Sequence, residues 1–366
     1  MRESWKIQDL GNVCDILDNK RKPITKKDRI EGDYPYYGAT GILSYVKNYL
    51  FDEQLVLLGE DGAKWESGDK SAFIINGKTW VNNHAHVLRP KREILNDHWL
   101  IYNLNFQNLL PFVSGMTVPK LNQGNMRKIQ IPIPPLQEQH QIVAILDQAF
   151  AAIDQAKANI EKNIENAKEL FQSKLNAVFS QRGEGWEEQE FANVIKLKSG
   201  QNLTSKNMVE GDYPVFGGNG IAGYHNKYNL SGKQIIIGRV GALCGNVRYL
   251  EQPIWLTDNA FQITNMKYDF DFQFLTYLLN HKNLRSLARQ AAQPVISNSS
   301  LKDLILNFPK NITAQIKIRE RISLLENEVE KIIIPYNNKL AALEELKKSI
   351  LQKAFAGELT NKAVEV

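Results

Sequence analysis

The stretch EGDYPYYGATGILSY at residues 31–45 recurs as EGDYPVFGGNGIAGY at residues 210–224. The offset of 179 (210 − 31) runs without a gap as far as residues 63 and 242, and thirteen of the aligned positions are identical. The match then returns, after short gaps, at Trp80/Trp255, Ala85/Ala260, Tyr102/Tyr277 and Pro119/Pro294. A period of about half the chain length indicates a tandem duplication, so we predict two copies of one domain.

Most of the matched residues are glycines, aromatic residues and prolines, which set turns and packing rather than chemistry. The apolar runs at 55–58 and 235–237 are typical of buried strands. Residues 98–110 and 272–290 have the periodicity of amphipathic helices. Each copy is therefore predicted to be a mixed domain of strands and helices.

A long segment with helical periodicity follows each copy. Residues 136–180 and 313–356 carry apolar residues at alternating spacings of three and four, which is the pattern of a coiled-coil seam. Either helix could pack only on its own domain. However, about 45 residues at about 1.5 Å each would span roughly 65 Å, which favours an antiparallel pair. Pro335 interrupts the second segment, where we expect a kink or two stacked helices.

The predicted fold class is α+β, a pseudo-twofold tandem repeat of two mixed domains separated by two long antiparallel coiled-coil helices. The predicted parts are a first domain at 1–135, a central spacer helix at 136–180, a second domain at 181–312 and a C-terminal spacer helix at 313–359.

Composition narrows the class of protein. Of 366 residues, 43% are hydrophobic and 23% are charged, as in globular proteins. No apolar run approaches the roughly 18 residues of a membrane helix, and no targeting segment is evident, so we expect a cytoplasmic protein. Cys14 and Cys244 share no metal or redox spacing and are interpreted as core residues. The net charge of +5 permits a nucleic-acid partner without requiring one.

Three stretches resemble the specificity subunits of type I restriction-modification systems. They are GATGILSYVKNYLFDEQLVLLGEDGA at 38–63, TVPKLNQGNMRKIQIPIPPLQEQHQIVAIL at 117–146 and SILQKAFAGEL at 349–359. The sequence IPIPPLQEQ, which leads into the first long helix, is the most specific single element. The corresponding NFPKNITAQIKI at 307–318 keeps Pro309 and Gln315 but lacks the double proline and the glutamate.

The resemblance implies a non-catalytic subunit that reads double-stranded DNA. Each domain would read one half of a bipartite, asymmetric target. The helices would act as a spacer and would dock two methyltransferase subunits, and restriction subunits would join that core. S-adenosylmethionine, ATP and magnesium would then belong to the partners, and this chain would hold no cofactor.

Candidate DNA-binding residues lie where the two copies diverge, in the polar loops at 17–29 and 195–207. Base edges and phosphates are read by Arg, Lys, Asn and Gln, although a charged run is more often a solvated face. The candidates are Lys20, Arg21, Lys22, Lys26, Lys27 and Arg29 in the first copy and Lys198, Gln201, Asn202, Lys206 and Asn207 in the second. Weaker DNA-binding candidates outside these loops are Arg239, which stands where the first copy has Glu60, and Lys120, Asn122, Gln123 and Asn125.

Signals for catalysis or metal binding are weak, and we expect no catalytic and no metal-ligating residues. Neither YGATG nor FGGNG has the spacing of a phosphate-binding loop. His84 and His86 are replaced by Asn259 and Phe261 in the second copy. No Asn-Pro-Pro-aromatic or Asp-Pro-Pro-aromatic tetrad of an amino-methyltransferase is present.

Three alternatives remain open at this point. The chain could be the specificity chain of a system whose methyltransferase and nuclease are fused in one polypeptide. It could instead be a coiled-coil scaffold whose domains bind protein. It could also be a nuclease without a familiar motif.

Overall fold

The computed structural model describes residues 4–115, 117–180, 183–289 and 293–360. The chain forms two compact units. One unit runs as far as Ile160 and takes in the chain from Asn338 onward, and the other comprises Glu161–Asn337. Each unit therefore contains one domain together with segments of both long helices.

Among the described residues of the first copy, thirteen short strands and α-helices precede a long helix. They are β1 (Lys6–Asp9), α1 (Leu10–Val13), β2 (Cys14–Ile16), β3 (Tyr34–Gly38), β4 (Gly41–Val46), β5 (Phe51–Asp52), β6 (Leu55–Gly59), β7 (Ala72–Ile75), β8 (Lys78–Val81), β9 (Ala85–Pro90), α2 (Asp97–Phe106), α3 (Gln123–Met126), β10 (Gln130–Ile133) and the long helix α4 (Leu136–Ser180).

Among the described residues, the second copy repeats this order except that no strand corresponds to β5. Its elements are β11 (Trp186–Glu190), α5 (Phe191–Val194), β12 (Ile195–Ser199), β13 (Tyr213–Gly217), β14 (Gly220–His225), β15 (Gln234–Gly238), β16 (Val247–Leu250), β17 (Trp255–Leu256), β18 (Ala260–Met266), α6 (Phe272–His281), α7 (Asn298–Leu301), β19 (Ile305–Pro309) and the long helix α8 (Ile312–Ala356).

Each domain is built on two small sheets. The first has the strand orders β2-β9-β6-β7 and β4-β3-β8-β5, and the second has β12-β18-β15-β16 and β14-β13-β17. The parallel pairs β3–β8 and β13–β17 place Tyr36 opposite Trp80 and Val215 opposite Trp255. In addition, β1 pairs with β10 and β11 with β19, both antiparallel. The chain thus enters and leaves each domain through neighbouring strands.

The predicted strands and helices are confirmed, with shorter helices than the sequence pattern indicated. The apolar runs form β6 and β15, whose residues are buried throughout because both faces of these central strands are covered. Helix α2 ends at Phe106, shortly before a 3-10 turn at Leu110–Phe112 that contains a proline. Helix α6 ends at His281, and Asn283 adopts a left-handed conformation with φ of 48° just beyond it.

The hairpin at the centre of the repeat keeps its local geometry in both copies. The β3–β4 register shifts between Tyr36 and Tyr37, and the β13–β14 register shifts at the corresponding pair. Gly41 and Gly220 close the two turns with φ of 133° and 104°, in a region that a side chain disfavours. Backbone geometry therefore explains why glycine recurs at these two positions.

A buried glutamine ties the start of each long helix to its domain. The side-chain amide of Gln139 donates to the carbonyls of Ile94 (2.8 Å) and Pro134 (2.9 Å), and its oxygen accepts from the Asn96 backbone (2.8 Å). Gln315 makes the same three kinds of bond, with Asp269 (3.1 Å), Pro309 (2.9 Å) and Asp271 (2.9 Å). Both glutamines have 0% exposure, so the second entrance keeps the anchor although it lacks the double proline.

The last turns of the long helices belong to the domain cores. In the first unit, the Phe355 ring of α8 lies 5.1 Å from the Trp99 ring and stacks on Phe106 at 4.9 Å. In the second unit, the Phe179 ring of α4 lies 5.9 Å from the Phe274 ring and stacks on His281 at 4.9 Å. Phe179 and Phe355 thus have equivalent places in the two units.

The two long helices run antiparallel in each unit. In the first unit, Lys157 forms an ion pair with Glu344, and Asp154 lies 3.8 Å from Lys347. In the second unit, the amide of Asn163 donates to the Tyr336 hydroxyl at 3.3 Å. Helix α8 continues through Pro335 as a single helix. Of the two expectations for this position, two stacked helices are therefore wrong, and a kink stays a prediction.

Trp5 and Thr360 both bond to the same residue at the start of α4. The Trp5 indole donates to one carboxylate oxygen of Glu138 at 3.2 Å, and the Thr360 hydroxyl donates to the other at 2.8 Å.

Both cysteines are buried, and burial raises the pKa of the Cys14 thiol. Among the residues described, no helix is both long enough and apolar enough to cross a membrane.

Candidate nucleic-acid interface

The divergent loop of the first copy leaves β2 through a 3-10 helix at Asp18–Lys20. Four of its predicted DNA-binding side chains are exposed to solvent, namely Lys20, Lys22, Lys26 and Lys27. The two arginines of the same loop are only partly exposed because both bond to other parts of the domain. The structure therefore divides the six basic residues into an exposed set and an engaged set.

Arg21 is engaged with buried acceptors. Its guanidinium donates to the Glu60 carboxylate and to the Ala85 carbonyl (2.8 Å), and it lies 3.3 Å from the Asp18 carboxylate. Only 14% of the Arg21 side chain is exposed. An ion pair at this depth needs such hydrogen bonds to offset the loss of hydration.

Arg29 is held by the repeated hairpin. Its guanidinium lies 4.4 Å from the centre of the Tyr36 ring and donates to the Ile24 carbonyl at 3.2 Å. The Tyr36 hydroxyl in turn accepts from the Ile24 backbone at 3.0 Å. These contacts fix the shape of the loop that carries the exposed lysines.

Behind the loop lies a buried ionic cluster that sequence reasoning missed. His86, with 0% exposure, contacts the Asp18 carboxylate through Nδ1 (2.6 Å) and the Leu121 carbonyl through Nε2 (2.7 Å). Burial works to raise the pKa of Asp18. Hydrogen bonds from His86, Gln123 and the Val87 backbone outweigh that effect and hold the pKa below its ordinary value.

Asp18, Glu60 and His86 also bring their ligand atoms within 4.8 Å of one another, close enough for a metal ion. The donor set is already engaged, however. Glu60 pairs with Arg21 and with the Lys120 ammonium (2.7 Å), and both His86 nitrogens face oxygen atoms. A cation here would compete with two resident cations, so the geometry favours an internal ion-pair network.

The weaker candidates near residue 120 contribute to the same framework. Gln123 donates to Asp18 at 2.9 Å, Asn122 accepts from the Asn125 backbone at 2.9 Å, and the Asn125 amide donates to the Phe112 carbonyl at 2.9 Å. These side chains hold the segment before β10 against the domain.

In the second copy the loop side chains are open to solvent. Lys198 lies on β12 and Lys206 and Asn207 in a 3-10 helix at Ser205–Asn207, and all three are exposed, as are Gln201 and Asn202. Arg239 stands where the first copy has Glu60, and Phe261 stands where it has His86. The Arg239 guanidinium lies 5.3 Å from the centre of the Phe261 ring and donates to the Asp258 carbonyl at 3.3 Å. Here a cation–aromatic contact replaces the ionic cluster.

The structure also gives the repeated tryptophans a second role beyond packing. The Trp80 indole donates to the Lys22 carbonyl at 2.6 Å, and the Trp255 indole donates to the Gln201 carbonyl at 3.1 Å. Their repetition was visible in the sequence, but their bonds to the divergent loops were not.

Comparison with known proteins identifies the class to which this geometry belongs. Residues 2–166 and 183–336 each match the family described as type I restriction modification DNA specificity domain. The chain belongs to this family, whose members are non-catalytic specificity subunits.

Individual relatives agree with this assignment. Over 143 residues (39% of this chain), the sequence is 41% identical to a putative type I restriction enzyme specificity subunit of Haemophilus influenzae, and the match spans 36% of that protein. Over 405 residues, it is 23% identical to the MjaVIII specificity subunit of Methanocaldococcus jannaschii, covering 98% of this chain and 93% of that one.

A solved chain from a study of complex assembly and conformational transition in the type I R-M system has the same fold. It superposes with a TM-score of 0.76 at 17% identity, covering 98% of this chain and 99% of that chain. The predicted tandem repeat of mixed domains is confirmed.

Proposed function

We propose that this chain reads a two-part, asymmetric target in double-stranded DNA, one half with each domain. The observation that carries the proposal is that both copies hold a polar loop in the same way but expose different side chains on it. Trp80 and Trp255 hold the two loops alike, whereas the exposed residues are mainly lysines in the first copy and include Gln201 and Asn202 in the second. Lys, Gln and Asn are side chains that contact phosphates and base edges.

The long helices are proposed to dock two methyltransferase subunits, which restriction subunits then join. Large apolar side chains remain exposed on both helices, including Leu170 (54%) on α4 and Leu324 (66%) and Ile334 (57%) on α8. Exposed apolar side chains on paired helices support a further protein partner. S-adenosylmethionine, ATP and magnesium are bound by those partners, and the complex works on DNA in the cytoplasm.

Methylation mapping tests the proposal. The full chain is produced with the methyltransferase encoded beside it, and methylated bases are mapped across the host genome. The expected result is one target composed of two fixed half-sequences and an unspecified gap. If the neighbouring gene encodes a fused methyltransferase and nuclease, the same target is expected with a different partner.

Salt dependence tests the exposed lysines separately. The binding constant K of the complex for DNA falls as the salt concentration rises. The double variant Lys26→Ala, Lys27→Ala is expected to make the slope of log K against log salt concentration shallower by about 1.8, since each phosphate contact contributes about 0.9. The matched control is Lys162→Ala, Lys168→Ala, two exposed lysines on α4, with an unchanged slope. A complex that binds protein partners but no DNA at any salt concentration would favour the coiled-coil scaffold.

A further inference from the structure

One residue of each divergent loop is held through both of its backbone polar groups. In the first copy, the Lys22 N–H donates to the Val81 carbonyl at 3.1 Å, and the Lys22 carbonyl accepts from the Trp80 indole at 2.6 Å. Val81 and Trp80 of strand β8 thereby hold both backbone polar groups of Lys22, and this pair of bonds is called the tryptophan clamp.

The second copy makes the same two bonds. The Gln201 N–H donates to the Leu256 carbonyl at 2.9 Å, and the Gln201 carbonyl accepts from the Trp255 indole at 3.1 Å. Lys22 and Gln201 are separated by 179 residues, the offset of the repeat. The clamp therefore belongs to the duplicated scaffold and is independent of the side chain that it presents.

Neighbouring loop residues are held in ways that differ between the copies. The Ile24 backbone bonds to the Tyr36 hydroxyl in the first copy, but the corresponding hairpin residue in the second copy is Val215, which has no hydroxyl. The Arg21 N–H bonds locally to the Asp18 carbonyl, whereas Gly200 donates to Ala260 on β18. At the position of Lys22 and Gln201, by contrast, the two loops are held by the same pair of backbone bonds.

Both clamped side chains are exposed, and each lines a cleft. Lys22 borders a cleft of about 360 Å³ together with Lys47 and Trp80. Gln201 borders a smaller cleft of about 60 Å³ together with Lys198. A side chain on a fixed backbone loses less freedom on binding, which is the condition for specific readout.

We propose that Lys22 and Gln201 are corresponding specificity-determining residues, Lys22 reading a guanine in one half-target and Gln201 an adenine in the other. A lysine ammonium donates to O6 and N7 of guanine, and a glutamine amide matches N6 and N7 of adenine. Trp80 and Trp255 act as positioning residues. This inference rests on the proposed function and assigns it to one position in each loop.

The test exchanges the two side chains in the full chain. Lys22→Gln and Gln201→Lys are each produced with the neighbouring methyltransferase, and methylated targets are mapped. Lys22→Gln is expected to change one base pair of one half-target from G·C to A·T, with roughly a 5- to 150-fold loss on the original site. Gln201→Lys is expected to make the reverse change in the other half-target.

Two further variants separate base reading from other roles. Lys26→Gln, in the same loop, is expected to weaken all sites alike without changing the sequence read. Trp80→Phe keeps an aromatic ring but removes the indole N–H, and is expected to relax the base preference at the Lys22 position alone. A purely structural role of Trp80 would lower the level of methylation without altering that preference.

The outcomes are distinguishable. A two-part target that Lys22→Gln leaves unchanged would overturn this inference and leave the proposed function standing. A uniform loss of affinity in Lys22→Gln would do the same, because it would place the ammonium on a phosphate. The absence of any two-part target for the unaltered chain would overturn the proposed function and this inference with it.

Discussion

The two domains carry different chemistry at a pair of positions behind their divergent loops. In the first domain, Glu60 and His86 form a buried ionic cluster, whereas Arg239 and Phe261 at the same places form a cation–aromatic contact. The surrounding hairpin, its register shift and the tryptophan clamp are nevertheless retained. The scaffold therefore tolerates an exchange of an ionic cluster for a cation–aromatic contact at these two positions.

The largest expected effect follows from cutting the chain between the copies. Residues 1–180 retain α4 but lose Phe355, which covers the first domain. Because Phe179 has the equivalent place in the second unit, we expect α4 of one fragment to cover the domain of another, forming a homodimer. Sedimentation measures the dimer. With the methyltransferase, methylation mapping should show a palindromic target.

Phe179→Ala in this fragment sharpens the comparison. Loss of a buried phenylalanine is expected to weaken the dimer at least about 100-fold. Leu170→Ala, an exposed position on α4, is the matched control. A monomeric fragment with no affinity for the methyltransferase would show that the two helix ends are not interchangeable.

A smaller and symmetrical effect is expected at the helix entrances. Gln139→Leu and Gln315→Leu each leave two carbonyls and one N–H without their buried partner. Each substitution should lower the free energy of unfolding by about 3 kcal/mol or more, measured by chemical denaturation. The exposed Gln141→Leu should change it by less than about 0.5 kcal/mol. Clearly unequal losses at Gln139 and Gln315 would break the equivalence of the two entrances.

The smallest effect concerns pH and should be confined to the first unit. The pKa of Asp18 is lower in the folded chain than the ordinary value of about 3.9. Its contribution to stability is therefore present above that value and is lost as the pH falls through the folded pKa. Asp18→Asn should flatten the fall in thermal stability below about pH 4. The exposed Asp15→Asn is the control, and an unchanged profile in Asp18→Asn would contradict the role of the cluster.

The loop of the first copy shows how much of the candidate site could be predicted from the sequence. The loop candidates were predicted as a group because charge and divergence between the copies are visible in the sequence. Their separation into exposed lysines and engaged arginines was not predictable, because Arg21 bonds to Glu60, which lies 39 positions away in the sequence. The roles of Gln139 and Gln315 were likewise hidden, although both glutamines stood in the repeat.

The sequence by itself determined the duplication, the two central strands and the two long helices. These features depend on local periodicity and on glycines whose backbone demands are the same wherever they occur. Tertiary structure alone decided that the end of α8 completes the first domain and that Trp80 and Trp255 hold Lys22 and Gln201. The physical reason is that hydrogen bonds and ring contacts depend on distances of a few ångströms between residues far apart in the chain, and only the folded backbone sets those distances.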